Sequence, residues 1–304
     1  MIAPPIWSSE QFERDRRVAI ERFRIARMQE SLEDYLSQFE YYRSNMESLL
    51  EMTVDLAQLK DQAVEIVSDP NFFDALRYMA GPPISADDLK TLVDTNSVAP
   101  TRVSEDPELA IQIIETIFLG LDRQRFPWVS EDREPTEQER VVAAVASAAL
   151  QTSRKIMTVR ANDAREEQEE SVVIGLQASG MTIVPTREIR TLVDAPAPGC
   201  FCRESLFGGR KADVIVRLWD GRVMPIECKV SNSATNSVKR LNNDAAAKAE
   251  KWLREFGEAQ TIPTAVLSGV FNLHNLIAAQ ASRLTIFWAH NLESLIGFVN
   301  ATRS

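Results

Sequence analysis

"KADVIVRLWDGRVMPIECKV" (residues 211–230) decides how this chain is read. Apolar residues run up to a turn at Asp220-Gly221 and away from it again, the pattern of a β-hairpin. Asp213 stands at the start of the first strand, and Glu227 and Lys229 stand inside the second. Burying an unpaired charge costs several kcal/mol, so three charged groups in one sheet-forming hairpin call for a reason. Side chains alternate faces along a strand, which puts Glu227 and Lys229 on one side. A two-residue loop would pair Val214 with Glu227 and leave Asp213 on the other face. A three-residue loop, Trp219-Asp220-Gly221, pairs Asp213 with Glu227 and places Gly221 at the left-handed position that closes such a turn. We expect the second arrangement, with all three groups converging.

Two opposed carboxylates repel unless a cation lies between them. A divalent, oxygen-seeking ion such as Mg²⁺ is commonly held by one or two carboxylates plus waters and phosphate oxygens. A lysine beside it can orient or help deprotonate a water, and the ion offsets charge on a phosphoryl oxygen. The constellation therefore points to hydrolysis of a phosphodiester.

The rest of the chain gives these residues a context. Before about residue 180 it reads as helix: "EQFERDRRVAIERFRIARMQESLEDYLSQFEYYRSNMESLLEMTVDLAQL" has apolar residues at three- and four-residue spacing, with a Ser8/Gln11 capping box in front. Further helices begin at Pro70 and after Ser85, and "PELAIQIIETIFLGL" forms another. The polar, proline-punctuated run 125–140 marks the end of this region. A long helix from about Thr136 to Ser179 follows, and then the pattern changes to short β-rich runs: "MTIVPT", "ADVIVRLW", "RVMPIECKV", "PTAVLSGVF" and "LTIFWAH". Between the later runs, "NSVKRLNNDAAAKAEKWLREF" carries Val238, Leu241, Ala245, Ala249, Trp252 and Phe256 on one stripe, as a helix laid on a sheet should. The expected fold is α+β or α/β: a mixed sheet flanked by helices in the order αβββαβ, with a helical N-terminal region. We expect residues 1–130 to dimerise, clamp the phosphodiester substrate or both, and residues 131–304 to form the sheet-bearing core.

Composition is that of an ordinary globular chain, 44% hydrophobic and 26% charged over 304 residues. No run of about 18 apolar residues occurs, and the opening "MIAPPIWSSEQFERD" has no basic segment leading into an apolar one. Cys200, Cys202 and Cys228 are too few and too clustered for a disulfide framework. A cytoplasmic protein without membrane contact is expected. The net charge of −10 argues against a polyanionic partner, but it is unevenly spread. Residues 201–260 hold 11 Lys and Arg against 8 Asp and Glu, and local field steers a polyanion.

Asp213, followed fourteen positions later by Glu227-Cys228-Lys229 in an apolar strand, resembles the PD-(D/E)xK nuclease motif, with Ala212 where the motif's proline usually stands. The αβββαβ order is similar to that superfamily's core. The resemblance implies that Asp213 and Glu227 bind metal, that the backbone carbonyl of Cys228 can join them, and that Lys229 works on the water. It also implies a glutamate from the helix before the sheet. In "AREEQEESVVIGLQASG", Glu169 lies three and four residues before Val172 and Val173, on the inward stripe, and is preferred over Glu166, Glu167 and Glu170. "GPPISADDL", "ECKVSNSATNSVKRLNNDAAAKAE" and "LSGVF" further resemble the XamI-type restriction endonucleases. That implies a type II enzyme cutting double-stranded DNA within a short palindrome, as a homodimer, with Mg²⁺. A repair or junction-specific nuclease of the same core, or a non-catalytic DNA-binding module, is the alternative.

A second [D/E]-x-K match, Asp88-Leu89-Lys90, serves as a control: it follows the Ser85 cap and reads as a solvated helix start. Cys200 and Cys202 with His274 or His290 lack the usual zinc spacing. Arg203, Arg210 and Lys211 surround the Gly208-Gly209 loop just before Asp213, where backbone phosphates need donors. Past the motif, Ser231, Asn232, Ser233, Asn236, Lys239, Arg240, Asn242 and Asn243 crowd the start of the sheet-packed helix. Asn suits adenine readout and Arg suits guanine, while one Ser or Asn is needed as a helix cap.

Overall fold

The computed structural model describes residues 1–30 and 32–303. The chain divides into two compact units, one of residues 1–30 with 160–304 and one of residues 31–159. The sequence reading sets its one boundary at 130 instead.

The second unit is helical. Its helices at Pro70–Arg77, Pro100–Ser104, Pro107–Leu119 and Pro127–Glu131 each open on a proline, whose missing N–H costs nothing in a first turn. Met46, Leu49, Ile66, Ile113, Ile114 and Phe126 fill the core between them. Arg125 is buried there and fully used: it pairs with Asp122 at 2.8 Å and donates to the carbonyls of Tyr78, Met79 and Ala80. The control triplet sits as expected, at the start of the Ala86–Leu92 helix, where the Ser85 hydroxyl accepts the Asp88 N–H at 3.0 Å.

The first unit carries a six-stranded mixed sheet in sequential order: β1 (Thr182–Ile183), β2 (Cys200–Phe207), β3 (Arg210–Arg217), β4 (Val223–Ser231), β5 (Thr264–Gly269) and β6 (Thr285–Trp288). The pairs β2/β3 and β3/β4 are antiparallel, and the others are parallel. Helix before, three antiparallel strands, helix, strand: the α+β expectation holds. The long helix runs Glu137–Ala178, and its last turns bury Val172, Val173 and Leu176 against Phe201, Val214 and Ile226. "MTIVPT" shortens to a two-residue strand, because Pro185 has no N–H to extend the ladder. Gly269 ends β5 where only glycine fits: its φ is +92°, and a Cβ there would lie 2.2 Å from the Ser231 carbonyl oxygen.

The N-terminal helix, Ser9–Met28, belongs to this sheet and not to the helical unit. Its Ser8/Gln11 capping box forms as the sequence predicts. Phe12 and Ala19 pack with Ala265, Leu267 and Ile286, and the Trp7 indole donates to the Ile286 carbonyl at 2.6 Å. The helix after β4 departs from the predicted stripe. Residues Val238–Ala246 bond i→i+5 in a π-helix between Ala234–Ser237 and Ala247–Phe256. The wider turn keeps Leu241, Ala245, Ala249 and Trp252 inward but rotates Val238 out to solvent. Among the described residues no helix is long and apolar enough to cross a membrane.

Candidate active site

The hairpin closes with a three-residue loop. Leu218 N–H donates to the Arg222 carbonyl at 2.9 Å, and Gly221 between them has φ +89°. The register Val214↔Ile226 through Arg217↔Val223 follows, and one step further sets Asp213 opposite Glu227. At that step the strands part. β3 from Arg210 to Ala212 pairs with β2, and β4 from Glu227 to Ser231 pairs with β5. A fork opens, and Asp213 sits in its crotch. Its Oδ2 accepts the Cys228 N–H at 2.7 Å, taking the place that a ladder carbonyl would otherwise fill.

Basic side chains enter the fork from the two flanking helices and from β4 itself. Arg165, on the long helix, donates from Nε to Glu169 at 2.6 Å and from Nη2 to Asp213 at 3.0 Å, with Glu204 of β2 at 3.4 Å. Lys229 reaches Glu227 Oε2 and Asp244 Oδ2, each at 2.6 Å. Lys248 donates to Glu227 Oε1 at 2.9 Å and Oε2 at 2.8 Å, and to the Lys211 carbonyl at 3.0 Å. Glu227 itself is fully buried.

Burial pushes the Glu227 carboxyl upward against the pull of Lys229, and the neighbouring Asp213 charge adds to the rise. Burial works against the Lys229 charge, but Glu227 and Asp244 outweigh it and hold the ammonium above its ordinary value. Asp244 is likewise dragged below the usual carboxylate range by Lys229, despite its partial burial. Glu169 is raised by burial, against Arg165, with Asp213 and Glu204 adding to the rise. Of the four glutamates in "REEQEE" it is the one not exposed. The Cys228 thiol is buried and held neutral far above its ordinary range.

Arg165, Asp244, Glu204 and Lys248 were not singled out from the sequence. Arg165 had a signal, since it lies one helical turn before Glu169. Asp244 and Lys248 are one turn apart on the helix after β4, but nothing local ties that turn to Glu227.

The nucleic-acid candidates are scattered more widely. Arg203 pairs with Glu170 and Lys211 with Glu204, both at 2.7 Å, while Arg210 is half-buried. Asn232, Asn236, Lys239, Arg240 and Asn243 are exposed along the start of the helix. Ser231 is the exception and has to be set apart: it is fully buried, and its hydroxyl donates to the Ser233 carbonyl at 2.9 Å. Ser233 is the helix cap, accepting the Asn236 N–H at 3.2 Å.

Among the described residues no three of His, Cys, Asp and Glu are grouped as a metal cage. The residues in the fork nevertheless suit a hard divalent ion. Asp213 and Glu227 are opposed oxygen donors, and an ion such as Mg²⁺ takes as few as one or two carboxylates, completing its shell with waters and substrate oxygens. The three basic groups already drawn to these carboxylates show how strongly the fork attracts positive charge.

Residues 57–288 match the XamI restriction endonuclease family. The chain is also 40% identical over 270 residues to the type II restriction enzyme XamI of Xanthomonas campestris pv. amaranthicola, an alignment covering 86% of this chain and 96% of that protein. The match takes in the forked hairpin, the helix before it and the helix after it. The chain belongs to the XamI restriction endonuclease family.

Proposed function

We propose that this type II restriction endonuclease hydrolyses phosphodiesters of double-stranded DNA at a short palindromic sequence, as a homodimer and with Mg²⁺. The observation that carries the proposal is the fork, in which Asp213 and Glu227 oppose one another with Lys229 alongside. Asp213 and Glu227 would hold the ion, with the Cys228 main-chain carbonyl as a third oxygen donor. When bound, the ion would offset charge on the phosphoryl oxygens and favour ionisation of a water. Lys229 is held as a cation by two carboxylates, which suits it to orienting the attacking water and balancing charge at the phosphorus rather than to accepting a proton. Glu169 tethers Arg165 beside Asp213, so its part is to position.

Arg203, Arg210 and Lys211 would meet backbone phosphates at the hairpin. The exposed Asn232, Asn236, Lys239, Arg240 and Asn243 would meet the duplex beyond it. A palindromic target suits a two-fold dimer, since protein symmetry then matches site symmetry.

The test is a long linear duplex incubated with the full chain, with Mg²⁺ or with EDTA, alongside Lys229→Ala. Discrete fragments that need the metal and vanish in the variant are expected. DNA left intact under every condition, or cleavage that the variant retains, would reject the assignment.

A further inference from the structure

Glu227 is a fully buried carboxylate bound by two ammonium groups, and the two are not equivalent. Lys229 belongs to β4 itself and has a second strong anchor, Asp244 at 2.6 Å. Lys248 comes from the helix that follows. Its nearest other carboxylate oxygen, on Asp244, is 3.7 Å away, and its remaining partner is the uncharged Lys211 carbonyl. Lys248 reaches both oxygens of Glu227, Oε1 at 2.9 Å and Oε2 at 2.8 Å, while Lys229 approaches Oε2 at 2.6 Å. Lys248 thereby bridges the two arms of the fork, from Lys211 on β3 to Glu227 on β4.

We propose that Lys248 is a DNA-responsive counter-cation: it neutralises Glu227 in the free protein and passes to a DNA phosphate when the duplex docks, so that DNA binding and divalent-metal binding reinforce one another. The proposal rests on the reading that Glu227 is a metal ligand and duplex DNA the substrate. A divalent ion that shares Glu227 with two ammonium groups meets like charge on both sides, which disfavours its binding. One ammonium has to yield, and Lys229 is fastened twice. Lys248 has a flexible four-carbon stem and a charge held by Glu227 alone at close range. Its Nζ already reaches the backbone of Lys211, next to Arg210 and the Gly208-Gly209 turn, where a phosphate would arrive. Coupling of this kind is reciprocal: whatever factor DNA adds to metal affinity, metal adds to DNA affinity.

The experiment compares the full-length wild type with Lys248→Met, Lys248→Gln and Lys248→Arg. Mn²⁺ binding is measured by calorimetry without DNA, and duplex affinity by anisotropy in EDTA and in Ca²⁺. Urea midpoints confirm that each variant is folded. Loss of one charge-assisted hydrogen bond should let both neutral variants bind Mn²⁺ roughly tenfold more tightly than wild type. Their gain in DNA affinity from Ca²⁺ should shrink by a similar factor, while Lys248→Arg should behave as wild type. Equal or weaker Mn²⁺ binding by the neutral variants would overturn the proposal and leave the metal reading standing. No Mn²⁺ binding by any of the proteins would overturn both.

Discussion

Asp213 and Cys228 are joined by one hydrogen bond, backbone N–H to Oδ2 at 2.7 Å, at the point where β3 and β4 part. The acid proposed to hold the metal is thus also the group that satisfies a buried main-chain donor. The two roles separate by substitution. Asp213→Asn keeps an acceptor oxygen for Cys228 but loses the charge. Cleavage should fall by at least about 10³-fold with little change in the urea midpoint. Asp213→Ala also orphans the Cys228 N–H, and should cost roughly 1–3 kcal/mol beyond Asp213→Asn in chemical denaturation. Equal stability of the two variants would show that the bond is not needed.

Glu227→Gln removes the buried negative charge that Lys229 and Lys248 both contact, at 2.6 and 2.8 Å. Breaking a buried ion pair from one side is strongly destabilising, up to roughly 3–5 kcal/mol, because the partner charge stays uncompensated. The double variant Glu227→Gln with Lys248→Met should recover part of that loss while remaining inactive. Denaturation of the single and double variants gives the interaction directly.

Phe12→Ala tests where the N-terminal helix belongs. The ring is fully buried against the β5–β6 side of the sheet, and its removal should cost roughly 3–5 kcal/mol. The loss should appear in the near-ultraviolet signal of the sheet unit, which holds Trp7, Trp219, Trp252 and Trp288. A change below about 0.5 kcal/mol, as at an ordinary surface site, would contradict the packing.

His290 sets a pH dependence. Burial lowers its imidazole below 6.5, although Asp15, 3.3 Å from Nε2, pulls the other way. The unfolded chain therefore takes up this proton more readily than the folded one. The contribution of the neutral ring is fully present above about pH 6.5 and is lost as pH falls through the lower folded value. In urea unfolding at pH 5 to 8, wild type should lose stability relative to His290→Gln on the acid side only. A constant difference between the two proteins across that range would refute the assignment.

The hairpin was legible because its determinants are local. A period of two residues, a glycine at the left-handed turn position and the count from Asp213 to Glu227 specify the loop and the register together. The long helix and the order of strands follow from periodicity in the same way. Glu169 could be chosen because helical spacing ties it to Val172 and Val173, which bury. Val238 could not be placed, because a π-helical turn changes the period on which the stripe depends.

What tertiary structure alone decided is which distant side chains enter the fork. Arg165 precedes Asp213 by 48 residues and Lys248 follows Glu227 by 21, and each meets its carboxylate only after a helix has crossed the sheet. The N-terminal helix is amphipathic in a way that fits any apolar surface, and packing chose the β5–β6 side. Local spacing specifies a strand's face, a turn and a helix's inward stripe. It carries no information about which surfaces meet, and so the sequence by itself determined the fold class and the acids and lysine of the motif, while the cations that hold those acids were decided by the packing of helices on the sheet.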